Sequence, residues 1–352
     1  MNTATVTWIY HKNFGTFLQA YALQKSIIDL GHNNVIIDDS TFHRPSLYKR
    51  LKIRAINFIK GRSNKSQRLY RRFANANLNI APWDGNTNRI ANKYDVFLCG
   101  SDQIWSPLIE FNPYYFLGFT DKKKVAYAPS TGTNISSDEY IANTKSLIER
   151  FSHVAVREED GARMLSAFVN KEIKVVIDPT LLLTQKEWKK VESRVNTDEP
   201  YILCYFLTPN KWYMDYVKQY AQQHHCKVKI FNTKPIYNEL GFELIDAGPG
   251  EFISYIKNAD KVFTDSFHSS IFSILYHKDF ITFKRFKESE KQNQNARIAN
   301  LFEKLGLTKR FIGEEEIATI ETIEKTNYDR IEDILKELRA TSKEYLRNAI
   351  EN

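Results

Sequence analysis

Hydrophobic and polar positions follow two periods along this chain, and the periods take turns. Short runs of β-branched and aromatic residues predict strands, and longer stretches with apolar residues every three or four positions predict helices. Residues 4–10 (ATVTWIY) predict a strand. A turn at Asn13, Phe14 and Gly15 follows, then a helix over 16–30 carried by Phe17, Leu18, Tyr21, Ala22, Ile27, Ile28 and Leu30, with Gly31 as its stop. Residues 34–38 predict the next strand. Strand, turn, helix, strand is the unit of a parallel sheet.

The pattern continues with strands at 94–99, 124–128, 153–156 and 174–177, and helices at 137–151 and 159–168. These four strands run into polar residues: Ser101 and Asp102, Ser130, Arg157, and Asp178. Ligands of open α/β sheets bind outside the carboxyl ends of strands. Residues 184–199 are polar and mixed, with Trp188 as their main apolar anchor, and read as a linker. Then the alternation restarts. Strands are predicted at 201–207, 227–231, 242–245, 261–264 and 279–283. Helices are predicted at 212–224, 251–258, 271–276 and 297–305, with a closing amphipathic helix at 328–350. The implied organisation is a first αβ lobe over 1–184, a linker over 185–198, a second αβ lobe over 199–325, and a C-terminal helix over 326–352.

Composition narrows the class. With 42% hydrophobic and 26% charged residues among 352, the chain is an ordinary globular protein rather than a disordered or low-complexity one. No run of 18 apolar residues is present, and the first residues lack the pattern of a signal peptide. Cys99, Cys204 and Cys226 are odd in number and far apart, which gives neither a disulfide framework nor a metal spacing. A cytoplasmic protein is the expectation.

The net charge of +8 is local. Eleven Lys and Arg fall between Arg44 and Arg72 with no Asp or Glu among them, and the rest of the chain is close to neutral. Leucines and isoleucines are interleaved with these charges, so the segment predicts a basic helical insertion. Such a helix suits an anionic membrane surface or a phosphate-bearing partner, or simply a solvated face. There is neither a zinc-finger spacing nor an RNP-like string of a nucleic-acid binder.

Several chemistries are missing. There is no Gly-rich loop of the P-loop or dinucleotide type, and no Gly-x-Ser-x-Gly. Aspartates and histidines do not cluster as metal ligands do; His224 and His225 sit together on a polar helix end. What stands out is a series of strings: NFGTFLQAYALQ (13–24), GSDQIW (100–105), YAPSTG (127–132), VREEDGARML (156–165), VIDPTLLL (176–183) and TDSFHSSIFSILYHKDFI (264–281). In this order and spacing the chain closely resembles the polysaccharide pyruvyl transferase family, over about residues 4–312. It departs from the family at Pro129 and Thr131 in the third string. Ser269 also stands where Gly often follows Ser-Phe-His.

The resemblance implies two Rossmann-like lobes facing a cleft, as in GT-B glycosyltransferases. It also implies transfer of pyruvate from phosphoenolpyruvate onto two hydroxyls of a sugar residue, closing a cyclic ketal. The acceptor would be a cell-surface polysaccharide or its lipid-linked precursor, with the basic segment 44–72 as a possible peripheral membrane contact. No cofactor and no metal are implied. The donor carries a carboxylate and a phosphate, which planar bidentate cations suit best. Its carbon 3 must be protonated, a task for an acid of near-neutral pKa such as His. The resemblance gives His268 that catalytic role together with a phosphate contact, and makes Arg157 and Arg297 donor-anion contacts. Lys284, Arg285, Lys287 and Lys291 compete with Arg297 for its place. Ser266 and Ser269 lie at a helix start, a natural anion cradle. Asp265 reads as the cap of that helix. In the first lobe Asp102 is a second catalytic candidate. Asn13, Gly15, Gln103 and Ser130 are acceptor-binding candidates; Asn13 and Gly15 also suit a tight turn. Asp178, before Pro179, reads equally as a turn former, and Trp105 as core. Two other readings stay open: a nucleotide-sugar glycosyltransferase of the same architecture, with Glu251 at the ribose, and a non-catalytic polysaccharide-assembly protein.

Overall fold

The computed structural model describes residues 1–9, 13–38, 65–83, 87–197, 199–287, 289–290 and 293–352. Seven parallel strands form the first sheet: β1 (Asn2–Val6), β2 (Asn33–Ile37), β3 (Ile80–Ala81), β4 (Val96–Cys99), β5 (Lys123–Tyr127), β6 (His153–Val156) and β7 (Ile173–Val175). Their order is β3-β2-β1-β4-β5-β6-β7. A second sheet holds β8 (Tyr201–Tyr205), β9 (Lys227–Phe231), β10 (Glu243–Ile245), β11 (Lys261–Thr264), β12 (Asp279–Phe283) and β13 (Phe311–Ile312), in the order β10-β9-β8-β11-β12-β13. Both sheets reverse direction next to their first strand. Crossover helices cover both faces, so β4 and β8 are buried at every position. That double burial explains their unbroken apolar runs.

The principal helices are α1 (Phe14–Asp29), α2 (Lys65–Asn77), α3 (Asp138–Glu149), α4 (Glu159–Ser166), α5 (Pro179–Leu182), α6 (Gln185–Trp188), α7 (Lys211–Gln223), α8 (Pro249–Asn258), α9 (Phe267–Leu275), α10 (Ala296–Leu305) and α11 (Tyr328–Glu351). The first helix begins at Phe14, not after a three-residue turn. Asn13 caps it by accepting a hydrogen bond from the Gly15 N–H, which places Phe14 and Gly15 inside its first turn. Most of the expected basic insertion, residues 44–64, lies outside the described residues. Its last part, 65–72, belongs to α2, where the Ser66 hydroxyl donates to the Ala247 carbonyl of the second lobe.

One apolar core crosses the lobe boundary. Phe14 of α1 stacks on Tyr70 of α2 and Phe252 of α8, with ring centroids 5.6 and 4.6 Å away, and also touches Tyr205 and Phe231. Aromatic pairs of this kind contribute about 0.5–1.5 kcal/mol each beyond area burial. The segment read as a polar linker carries a short helix with a full capping box between Thr184 and Glu187, and Trp188 is completely buried against Tyr21 and Phe272. The last helix returns to the first lobe. There the Tyr345 hydroxyl donates to the Ala126 carbonyl at 3.0 Å, and Arg339 Nε donates to the Leu181 carbonyl at 2.8 Å. Trp105 is core, stacked on Phe116. No helix among the described residues is long and apolar enough to cross a membrane.

Candidate active site

In the second lobe β11 ends at Thr264 and the chain turns into α9. Ser266 is the cap of that helix, its hydroxyl accepting from the Ser269 N–H. This corrects the expectation for Asp265. Its carboxylate instead accepts hydrogen bonds from the Leu207 and Thr208 N–H groups at 2.6 and 2.9 Å and from the Tyr213 hydroxyl, bracing the loop after β8. The cap sets the start of α9 and thereby places His268, 6% exposed, in its first turn at the lobe junction.

Two strand ends of the first lobe meet it there. Arg157 leaves β6 and Asp178 follows β7, and both side chains are buried. Arg157 does not pair across the surface. Its Nη1 donates to Asp178 Oδ2 at 2.9 Å, its Nε lies 3.4 Å from Glu158, and its guanidinium sits 4.3 Å over the Phe267 ring. Asp178 also caps α5, accepting from the Thr180 N–H and hydroxyl. His268 Nε2 lies 3.5 Å from the Asp178 Oδ2 atom that Arg157 holds. Burial alone would raise the Asp178 carboxyl, but His268, Arg157 and Thr180 outweigh it and hold it well below the usual carboxylate range. For Arg157, burial opposes the charge, yet Glu158 and Asp178 push its pKa up.

Arg297 completes the cluster from the first turn of α10. It is 9% exposed and makes no ion pair among the described residues. Its Nη2 donates to the Gln294 side-chain oxygen at 3.2 Å. Burial and then the like charge of Arg157 push its pKa down to about 9, so it stays a cation at neutral pH. The two guanidiniums repel each other, and an anion between them would relieve that repulsion. Arg157 Nη2 and Asn300 Oδ1, which line this junction, are buried without a hydrogen-bond partner among the described residues, as is Ser269 Oγ in the first turn of α9, and His268 Nε2 has only its long 3.5 Å contact with Asp178. Buried polar groups are almost always paired, so the unpaired atoms beside these cations are candidate ligand contacts. Arg285, a competitor for the place of Arg297, is turned toward Asp265, 3.8 Å away, and toward Thr208. It lines a separate opening of about 750 Å³ with Lys211, Trp212, Lys284 and Lys287.

The acceptor-side candidates take different positions. Asp102 adopts a left-handed backbone at φ 64°, which Asp tolerates better than most residues. Its carboxylate accepts from the Gln103 N–H and the Thr16 hydroxyl rather than capping a helix. Gly15 packs directly on His268: a Cβ there would fall 2.0 Å from His268 Nδ1. Asn13 is the α1 cap. Gln103 reaches across the lobes to Gln294 at 2.8 Å. The Ser130 hydroxyl is fully buried and donates to Glu158 at 2.6 Å.

Sequence reasoning left Glu158 and Gln294 without a role and split Asp178 between two. Glu158 is buried and also accepts from the Gly132 N–H, so it ties the loop after β5 to the strand end that carries Arg157. A usable signal existed for Asp178, since it ends the fourth of four adjacent strands that all stop in polar residues. For Gln294, in a polar loop, there was none.

Two parallel-stranded αβ lobes with a buried cation cluster at their junction, closed by a C-terminal helix that returns to the first lobe, define a GT-B-like architecture. Solved structures agree at the level of fold. Methanocaldococcus jannaschii UDP-GlcNAc 2-epimerase superposes with a TM-score of 0.55 at 13% identity, covering 97% of this chain and 100% of that one. A putative UDP-N-acetylglucosamine 2-epimerase from Listeria monocytogenes gives 0.52 at 10% identity over 99% and 91%. Arabidopsis thaliana UGT89C1, solved with quercetin, gives 0.51 at 10% identity over 97% and 94%. No curated protein matches the chain by sequence. The family model for polysaccharide pyruvyl transferases matches residues 13–285, and the chain belongs to that family.

Proposed function

We propose that the protein moves pyruvate from phosphoenolpyruvate to two hydroxyls of one sugar residue, as a cyclic ketal, and releases phosphate. The observation that carries this reading is the meeting of Arg157 and His268 on Asp178, with Arg297 lining the same junction, from separate segments of the chain. Two guanidiniums suit a donor with two anionic ends. His268, with Nε2 turned to Asp178 and its Nδ1 side packed on Gly15, has its ring orientation fixed. It delivers a proton to carbon 3 of the enol. One sugar hydroxyl then adds to carbon 2, the bond from carbon 2 to the phosphate oxygen breaks, and the second hydroxyl closes the ring. The two hydroxyl protons balance the one placed on carbon 3 and the one leaving with phosphate.

The nucleotide-sugar reading draws no support from Glu251. The Glu251 carboxylate accepts from the Gly248 N–H at the start of α8, a capping role. The test is to incubate the protein with a panel of saccharide acceptors and either phosphoenolpyruvate or sugar nucleotides, and to follow phosphorus NMR. Release of inorganic phosphate from phosphoenolpyruvate, dependent on saccharide, is the expected result. Nucleotide release with phosphoenolpyruvate left intact would replace this reading with the glycosyltransferase.

A further inference from the structure

We infer that Gln294 is a positioning residue that holds Arg297 for the anion while keeping its charge free, and that it latches Arg297 to the acceptor-side loop through Gln103. The inference rests on the donor reading above for the identity of the anion, but not for its geometry.

A single oxygen carries the argument. Gln294 Oε1 accepts from Gln103 Nε2 of the first lobe at 2.8 Å and from Arg297 Nη2 of the second at 3.2 Å. The Gln294 main-chain carbonyl lies 3.5 Å from Arg297 Nε, so one residue accounts for every hydrogen bond Arg297 makes among the described residues. A buried guanidinium is ordinarily matched by a carboxylate. Here the matching group is a neutral amide. It fixes direction by hydrogen bonding without cancelling the charge, and the cation stays available to an incoming anion. Arg157 is the contrast, since it is already paired with Asp178 and Glu158.

The other half of the latch is also built. Gly132, at φ 70°, leaves the space that the Gln103 amide fills; a Cβ there would come within 2.3 Å of Gln103 Nε2. Gln103 follows Asp102, whose side chain holds the Gln103 N–H. The loop after β4, on the acceptor side, is therefore joined through one amide oxygen to a donor-side cation.

Gln294→Glu keeps the size of the side chain but adds a charge that pairs with Arg297. Gln294→Met keeps the volume and removes only the side-chain hydrogen bonds. Binding of phosphoenolpyruvate and, separately, of inorganic phosphate is measured by calorimetry on the full chain, with the melting temperature of each variant recorded. Gln294→Glu is expected to weaken both anions at least tenfold and Gln294→Met about threefold. Gln103→Ala is expected to resemble Gln294→Met, and the two combined to bind no more weakly than Gln294→Met alone, since both act through the same oxygen. A merely structural role predicts the isosteric Glu to be the milder change. Wild-type affinity in Gln294→Glu, or equal losses in the Glu and Met variants, overturns the inference. If wild-type protein binds phosphate with the expected order of variants but ignores phosphoenolpyruvate, the donor reading fails and the latch stands. If it binds neither anion, both fail.

Discussion

Replacing His268 by Gln is expected to lower pyruvyl transfer by about 10²–10⁴-fold, the usual worth of a general acid, with the fold intact. Gln retains a donor that can face Asp178 but has no proton to give to carbon 3. The environment leaves little room for a substitute. His268 is buried between Gly15 on one side and Asp178 on the other, and no second imidazole lies in the cluster among the described residues. Gly15→Ala should reproduce much of the loss from the opposite lobe, because its methyl group would occupy the position of Nδ1 and push the ring aside. Initial rates of phosphate release on purified variants, with circular dichroism to confirm folding, check both. A folded His268→Gln protein with more than about half of wild-type turnover would remove the residue from the chemistry.

The second large effect is on stability. Asp178→Ala leaves Arg157 and His268 facing each other without their shared carboxylate and removes the cap of α5. Breaking a buried ion pair in this one-sided way costs about 3–5 kcal/mol, a large part of the 5–15 kcal/mol by which domains are stable. The pH dependence has a definite sign. The Asp178 carboxyl is held below the usual range in the fold, so its contribution is complete above the ordinary carboxylate pKa of about 3.9 and is lost as pH falls toward the depressed value. The gap in denaturant midpoint between wild type and Asp178→Ala should therefore be wide at pH 7 and close as the pH drops below about 4. A stability difference under about 1 kcal/mol at pH 7, the midpoint gap multiplied by the slope m, would show that Asp178 does not anchor the cluster.

The sheets were legible because buried parallel strands are written as short apolar runs, as at β4 and β8, and because the polar residues ending β4 to β7 are neighbours in space as well as in pattern. Strands of two residues, β3 and β13, carry no period and left no trace. The start of α1 was read late because Gly15 looks like a turn residue, whereas it is glycine for a tertiary reason: a histidine more than two hundred positions away lies against it. Asp265 misled in the same way. Its neighbour Ser266 does the capping, while its own partners, Leu207 and Thr208, come from another strand end. Arg157 and His268 stand in the family strings and Arg297 beyond them among competing cations, whereas the acceptors Glu158 and Gln294 that orient these candidates left no signal. Glu158 and Gln294 acquire their roles only when the lobes meet.

The most direct measurement is a crystal structure of the protein with phosphoenolpyruvate bound. The account predicts one donor molecule at the lobe junction, its carboxylate and phosphate divided between Arg157 and Arg297, and carbon 3 within about 3–3.5 Å of a ring nitrogen of His268. Phosphoenolpyruvate bound instead among Lys284, Arg285 and Lys287, or a junction that takes a sugar nucleotide and excludes phosphoenolpyruvate, would contradict it.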